Sequence, residues 1–71
     1  MALDAGDQAL LAIVLREANG NVQNVRYGLD EAMRQRGRGD PRNYAFVRRM
    51  LERAAVKKIH EDHRPKPLVL T

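Results

Sequence analysis

The sequence contains no cysteine and no serine, and its single threonine is the C-terminal Thr71. Without cysteine the chain has no disulfides and no thiolate ligands for a metal. The usual hydroxyl and thiol nucleophiles are missing as well, and no glycine-rich phosphate loop follows a strand pattern. His60 and His63 lack the further ligands that a metal site needs. We therefore expect a protein that is not an enzyme and that holds neither a cofactor nor a metal.

Long apolar runs are also absent. No stretch of the sequence is apolar enough to span a bilayer, and its first residues do not form a signal-peptide pattern, so we expect a cytoplasmic protein without membrane contact. A chain of 71 residues makes one domain at most, and its hydrophobic core is small. Stability must come from helix packing, from a partner or from self-association, which leaves a homodimer possible.

Positive charge is concentrated in the second half of the chain. Residues 1–35 hold three basic and five acidic side chains, a net charge of −2, whereas residues 36–71 hold ten and four, a net charge of +6. Ten of the thirteen basic residues are arginine, which suits bidentate contact with phosphate or carboxylate. This distribution predicts an acidic partner, either nucleic acid (DNA or RNA) or an acidic protein surface such as a subunit of the transcription machinery.

Hydrophobic spacing predicts an all-α fold, a compact three-helix domain with helices at about residues 7–18, 22–36 and 41–60. This domain covers residues 1–63. An extended basic and apolar tail, residues 64–71, follows because its two prolines exclude a helix.

The first predicted helix is apolar over more than half of its circumference, which indicates a central helix that contacts both others. Asp4 or Asp7 can cap its start, and Gly20 suits the left-handed position after its end. Asn21 can then cap the second helix.

The second predicted helix contains Gly28, which costs about 1 kcal/mol relative to alanine inside a helix. Either another backbone packs closely at this residue or the helix breaks there. Asp30 is spaced to pair with Arg26 or Arg34 on the outer face.

The third predicted helix carries the sharpest feature, a row of cations with an aromatic residue among them. Asp40 is expected to cap this helix and Pro41 to occupy its first position. One arc forms a core face of Tyr44, Val47, Met50, Leu51, Ala54 and Ala55. The opposite arc and the preceding loop form the predicted contact surface: Arg36, Arg38, Arg42, Phe46, Arg49, Arg53 and Lys57.

Two interpretations of this surface stay open. Its cations can follow a phosphate backbone while Phe46 stacks on a base or on a partner side chain. The alternative is a solvated helix face with Phe46 turned into the core. If the helix enters a major groove, Asn43 at its start can contact adenine.

The tail offers a second contact. Its candidate residues, which can add as a strand to the edge of a partner's sheet, are Lys66, Leu68, Val69 and Leu70. A disordered tail, or one that folds back over the core, fits the same residues.

The sequence LREANGN at residues 15–21 resembles the start of the helix-turn-helix in Fis-type DNA-binding domains, a likeness that extends over residues 15–29. The resemblance implies a tight turn near Gly28 and Leu29 and a recognition helix at residues 30–36. It carries over no base-reading residue.

Two functions follow from these features. The first is a small basic regulator, most simply of transcription, that binds nucleic acid through an arginine-rich helix face. The second rests on a resemblance in size, charge and composition to small regulators encoded by bacteriophages and mobile elements. It implies a factor that docks on RNA polymerase or another host nucleic-acid machine and inhibits or redirects it. Nucleic-acid binding should weaken steeply with salt, whereas docking on a protein should depend on Phe46 or on the tail.

Overall fold

A computed structural model gives the structure of the protein and describes residues 3–37 and 39–63. Within these residues the chain forms three α-helices and no strand, which confirms the predicted all-α, three-helix architecture. The helices are α1 (Ala5–Ala18), α2 (Val25–Arg36) and α3 (Tyr44–His63). The predicted contacts of Arg38, Lys66, Leu68, Val69 and Leu70 lie outside the described residues. No described helix is both long enough and apolar enough to cross a bilayer.

Local signals at both ends explain the bounds of α1. The side chain of Asp4 accepts a hydrogen bond from the backbone N–H of Asp7, so Asp4 is the N-cap and the helix begins two residues earlier than predicted. At the other end, Asn19 adopts the left-handed conformation with φ 51° and donates its N–H to the carbonyl of Leu15. Gly20 continues with φ 80°, a conformation that glycine adopts without strain.

The connection to α2 is a single 3-10 turn, Val22–Asn24, which makes the start of the predicted second helix tighter than an α-helix. Asn21 caps this turn by accepting a hydrogen bond from the N–H of Gln23 at 2.9 Å, as predicted. The Asn24 side chain donates back to the Ala18 carbonyl at 3.4 Å and holds the turn against the end of α1.

Gly28 marks a close approach of two helix backbones. It is buried in the middle of α2, and a Cβ atom built on it would lie 2.6 Å from the carbonyl oxygen of Val14 and 2.7 Å from the Val14 Cα. Only a residue without a side chain fits at this distance. The tight turn that the Fis-type resemblance implies at Gly28 and Leu29 is absent, because α2 runs through both residues.

All three helices contribute to one core, and each contacts both of the others. α1 therefore contacts α2 and α3 as predicted, but it is no more central than α2. Four further apolar residues of α1 are only partly buried against the core. The buried core consists of Val14, Ala18, Val25, Leu29, Ala32, Met33, Val47, Leu51, Ala55 and Ile59.

α3 begins later than predicted, and the predicted cap is wrong. Asn43 caps it, because the Asn43 Oδ1 atom accepts a hydrogen bond from the N–H of Phe46 at 3.2 Å. Asp40 instead accepts from the N–H of Arg42 at 2.9 Å, which closes a turn before the helix. Tyr44, predicted to be in the core, is the first helical residue and is 53% exposed.

Candidate binding surface on the third helix

Three cations form a row along the solvent side of α3. Arg49, Arg53 and Lys57 recur every four residues and are all exposed. They lie on the side of the helix opposite the buried Val47 and Leu51, and successive members are about 6 Å apart along the axis. We call Arg49, Arg53 and Lys57 the cationic row.

The cationic row is not neutralised within the part of the chain that the structure describes. The ion pairs among residues 3–37 and 39–63 join other residues, and none includes a member of the row. Glu52 lies near Arg49 and Arg53 without forming an ion pair with either. An anionic ligand of the row would therefore displace no ion pair that the described residues form.

A groove between α1 and α3 lies beside the cationic row, and its volume is about 540 Å³. Its apolar lining consists of Leu3, Leu11, Phe46, Met50 and Ala54. The charged residues around it are Arg49, Arg53, Lys57, Lys58 and Glu61, so the charge surrounding the groove is mainly positive. The structure thus places an apolar surface and the cationic row side by side.

Phe46 is exposed to solvent rather than buried. Its exposed fraction is 46%, so the interpretation that turned this residue into the core is wrong. It lines the groove on the same face as the cationic row. Phe46 thus lies beside Arg49 and Arg53 at the groove, and its role in binding stays a prediction.

Arg42 does not belong to the row, because its guanidinium group is held by two carboxylates. It donates to both oxygens of Asp7, at 2.9 and 2.7 Å, and to both oxygens of Asp40, at 3.0 and 2.7 Å. Asp7 is only 3% exposed. The predicted contact of Arg42 with phosphate is thus replaced by a role inside the fold.

Arg36 is withdrawn from the predicted surface in the same way. Its side chain is 9% exposed, and its Nε atom lies 3.2 Å from Asp40 Oδ2 without being aligned for a hydrogen bond, so the contact is electrostatic. Its Nη2 atom donates to the carbonyl oxygens of Asp40 and Arg42. The guanidinium also lies 5.8 Å from the centre of the Tyr44 ring, within reach of a cation–π contact.

These contacts shift the ionisation of the two carboxylates. Hydrogen bonds from the Arg42 side chain and backbone N–H hold the pKa of Asp40 well below its usual range. The hydrogen bonds from the Arg42 side chain likewise lower the pKa of Asp7 against the opposing effect of burial. Both carboxylates raise the pKa of Arg42 further above its ordinary value. At neutral pH Asp7, Asp40 and Arg42 are therefore all charged within the network that they form with Arg36.

Two smaller expectations are also corrected. Asp30 pairs with neither Arg26 nor Arg34; its carboxylate accepts a hydrogen bond from Arg48 at 2.8 Å and joins α2 to α3. Arg34 pairs with Glu31 instead. Asn43 uses its side-chain oxygen as the cap of α3. The predicted contact of this side chain with adenine would therefore compete with the cap.

The sequence does not predict the network joining Asp7 to Arg42, since these residues are 35 positions apart and no local pattern relates them. A buried aspartate in an amphipathic helix is a signal that it has a cationic partner, but the sequence does not say which of thirteen basic residues provides it.

No protein-family model, curated protein or solved structure matches this chain. The likeness to Fis-type domains therefore stays a prediction, and any conclusion about function rests on the geometry of the cationic row and of the groove.

Proposed function

We propose that this protein is a small non-enzymatic regulator that binds nucleic acid through the cationic row of α3, and that it acts on a process such as transcription. The observation that carries this proposal is the exposure of Arg49, Arg53 and Lys57 on three successive turns, without carboxylate partners among the described residues. Each can replace a counterion condensed on the phosphate backbone, and release of that counterion favours binding.

The contact is smaller than the sequence predicts. Arg36 and Arg42 are held by Asp40 and Asp7, so they do not join it. The three cations of the row supply a modest and largely sequence-independent affinity. Precise targeting would need a second protein or a second copy of the chain.

The test is fluorescence anisotropy of labelled duplex DNA and of labelled single-stranded RNA, each titrated with the protein at several salt concentrations. For duplex DNA we expect log K to fall linearly with log salt with a slope of about −3, as for three neutralised phosphates. The double variant Arg49→Gln, Arg53→Gln should reduce the magnitude of the slope to about 1.

A matched control is Arg16→Gln, Arg26→Gln, which removes the same charge from exposed sites on α1 and α2. It should keep nearly the full slope. Equal losses in the two double variants would show that net charge rather than the row drives binding. Absence of binding to either nucleic acid at low salt would rule the proposal out.

The groove favours a second candidate function, docking on a protein. A phosphate backbone has no apolar groups that could pack against its apolar lining. An apolar surface beside cations is instead typical of a site for an amphipathic partner.

A further inference from the structure

The groove between α1 and α3 is an apolar surface that the three helices leave uncovered. Leu3 and Leu11 on one side and Phe46, Met50 and Ala54 on the other face a volume of about 540 Å³. In a chain with a small core, large apolar side chains are usually buried, yet Phe46 is 46% exposed at this groove. Contiguous exposed apolar surface with a polar rim is a mark of an interaction site.

The dimensions of the groove match those of a helix. The residues of α3 that line it run from Phe46 to Glu61, which is about 22 Å of helix axis. An α-helix of about 15 residues has the same length. Two neighbouring helices with an apolar furrow between them can accept another helix, which buries its own apolar stripe as helices do in a bundle.

The charge around the groove selects the partner. Among the described residues, four cations, Arg49, Arg53, Lys57 and Lys58, surround it against one carboxylate, that of Glu61. A second copy of this chain that placed its own α3 on the groove would bring the same positive surface there and be repelled. The basic segment at residues 64–71, with Arg64 and Lys66, is disfavoured for the same reason. An acidic ligand is complementary.

We propose that this groove binds an acidic amphipathic α-helix of another protein. Leucine-type side chains of the partner contact Phe46, Met50 and Leu11, while its flanking carboxylates pair with Arg49, Arg53 and Lys57. Binding of this helix does not depend on the nucleic-acid function. However, both ligands use the same three cations, so the bound helix and a nucleic acid exclude each other.

The probe is a synthetic peptide of about 15 residues with leucine at i, i+3, i+4 and i+7 spacing and glutamate on both flanks of that stripe. Its affinity for the full chain is measured by isothermal titration calorimetry. One control peptide has lysine in place of each glutamate, and another has glutamine in place of each leucine. We expect binding of the first peptide and at least a roughly ten-fold loss for either control. Equal binding of the glutamate and lysine peptides would overturn the proposal.

Protein variants locate the peptide. Phe46→Ser should weaken the glutamate peptide roughly ten-fold, because aromatic anchors dominate such contacts. Tyr27→Ser is the matched control, since Tyr27 is an aromatic residue of α2 that is 63% exposed and does not line the groove; it should leave the affinity unchanged. If the two variants behave alike, the peptide does not bind in the groove and the proposal fails.

Competition separates this inference from the proposed function. The peptide should displace labelled nucleic acid from the protein, whereas the glutamine control should not. If nucleic acid binds with the expected slope but the peptide does not bind, only the groove proposal fails. Self-association of the protein that Phe46→Ser abolishes would overturn it too, in favour of a second copy as the occupant.

Discussion

Arg42 and Asp7 form a bidentate ion pair that joins the segment before α3 to the first turn of α1. The Nη1 and Nη2 atoms of Arg42 donate two parallel hydrogen bonds, of 2.9 and 2.7 Å, to the two carboxylate oxygens of Asp7. The two residues are 35 positions apart in the sequence. Asp7 is nearly inaccessible, and Asp40 accepts from the Nε and Nη2 atoms on the adjacent edge of the same guanidinium. The pair thus links the chain just before α3 to the start of α1, the two helices between which the groove lies.

Loss of the Asp7 charge should destabilise the fold. Asp7→Asn replaces a buried, hydrogen-bonded carboxylate by a neutral amide and leaves Arg42 with Asp40 alone, which we expect to lower the free energy of unfolding by about 2 kcal/mol. The measurement is urea denaturation followed by circular dichroism. Glu17→Gln, which removes one charge from an exposed site on the same helix, should change stability by less than about 0.5 kcal/mol. Similar values for both variants would mean that the pair contributes nothing.

The same network makes the protein sensitive to acid. The pKa values of Asp7 and Asp40 lie below the ordinary 3.8 because Arg42 donates hydrogen bonds to both carboxylates. Between the ordinary and the lowered pKa the unfolded chain binds more protons, so stability falls as pH falls. These two groups should give constant stability from about pH 7 to pH 5 and a progressive loss below about pH 4.

Denaturation at a series of pH values checks this expectation. Asp7→Asn lacks one of the two titrating groups, so its deficit relative to the natural sequence should shrink as the pH approaches the lowered pKa. A deficit that is the same at neutral and acidic pH would contradict the assignment.

Alanine substitutions at Gly28 and at Gly6 should change the stability of the fold in opposite directions. Gly28→Ala should destabilise the fold by about 2 kcal/mol, because the added methyl overlaps the Val14 backbone at 2.6 Å and outweighs the gain in helix propensity. Gly6→Ala in α1 places its methyl at an ordinary 3.4 Å from Asp4 and should stabilise by up to about 1 kcal/mol. Thermal melts of both variants test the pair, and stabilisation by Gly28→Ala would refute the close approach.

The start of α3 can be tested through its cap. Asn43→Ala removes the acceptor for the Phe46 N–H and should cost about 1 kcal/mol, while Asn43→Asp retains an acceptor and should keep the stability. Hydrogen exchange of the Phe46 amide should accelerate in the alanine variant alone. No change in either quantity would favour the helix start at Pro41 that the sequence suggests.

The sequence predicts the three helices because their signals are local. Hydrophobic spacing locates each helix, and Asn21 caps the 3-10 turn that leads into the second one. The start of α3 is ambiguous by comparison, since Asp40 and Asn43 are both good caps and only the structure shows that Asp40 is occupied by Arg42. Gly28 is ambiguous for a similar reason, because close packing and a turn both call for glycine.

The candidate surface was predictable only in part. Exposed cations that share a helix face, such as Arg49 and Arg53, follow from periodicity. Whether an arginine is available for a ligand depends on carboxylates that are distant in sequence. Arg42, for example, is held by Asp7, which lies 35 positions earlier in the chain. The groove beside Phe46 depends on the packing of α1 against α3, which no local pattern specifies.

A comparison of two arginines separates binding from folding. Arg53→Gln removes an exposed cation of the row that forms no ion pair with the described residues, so it should lower the magnitude of the salt slope for duplex DNA by about 0.9 without changing stability. Arg42→Gln removes a cation that Asp7 and Asp40 already neutralise, so it should lower the melting temperature and leave the slope unchanged. Anisotropy titrations and thermal melts of the two variants give both quantities. The opposite outcome, a smaller slope for Arg42→Gln and a lower melting temperature for Arg53→Gln, would place the binding surface at the network rather than along α3.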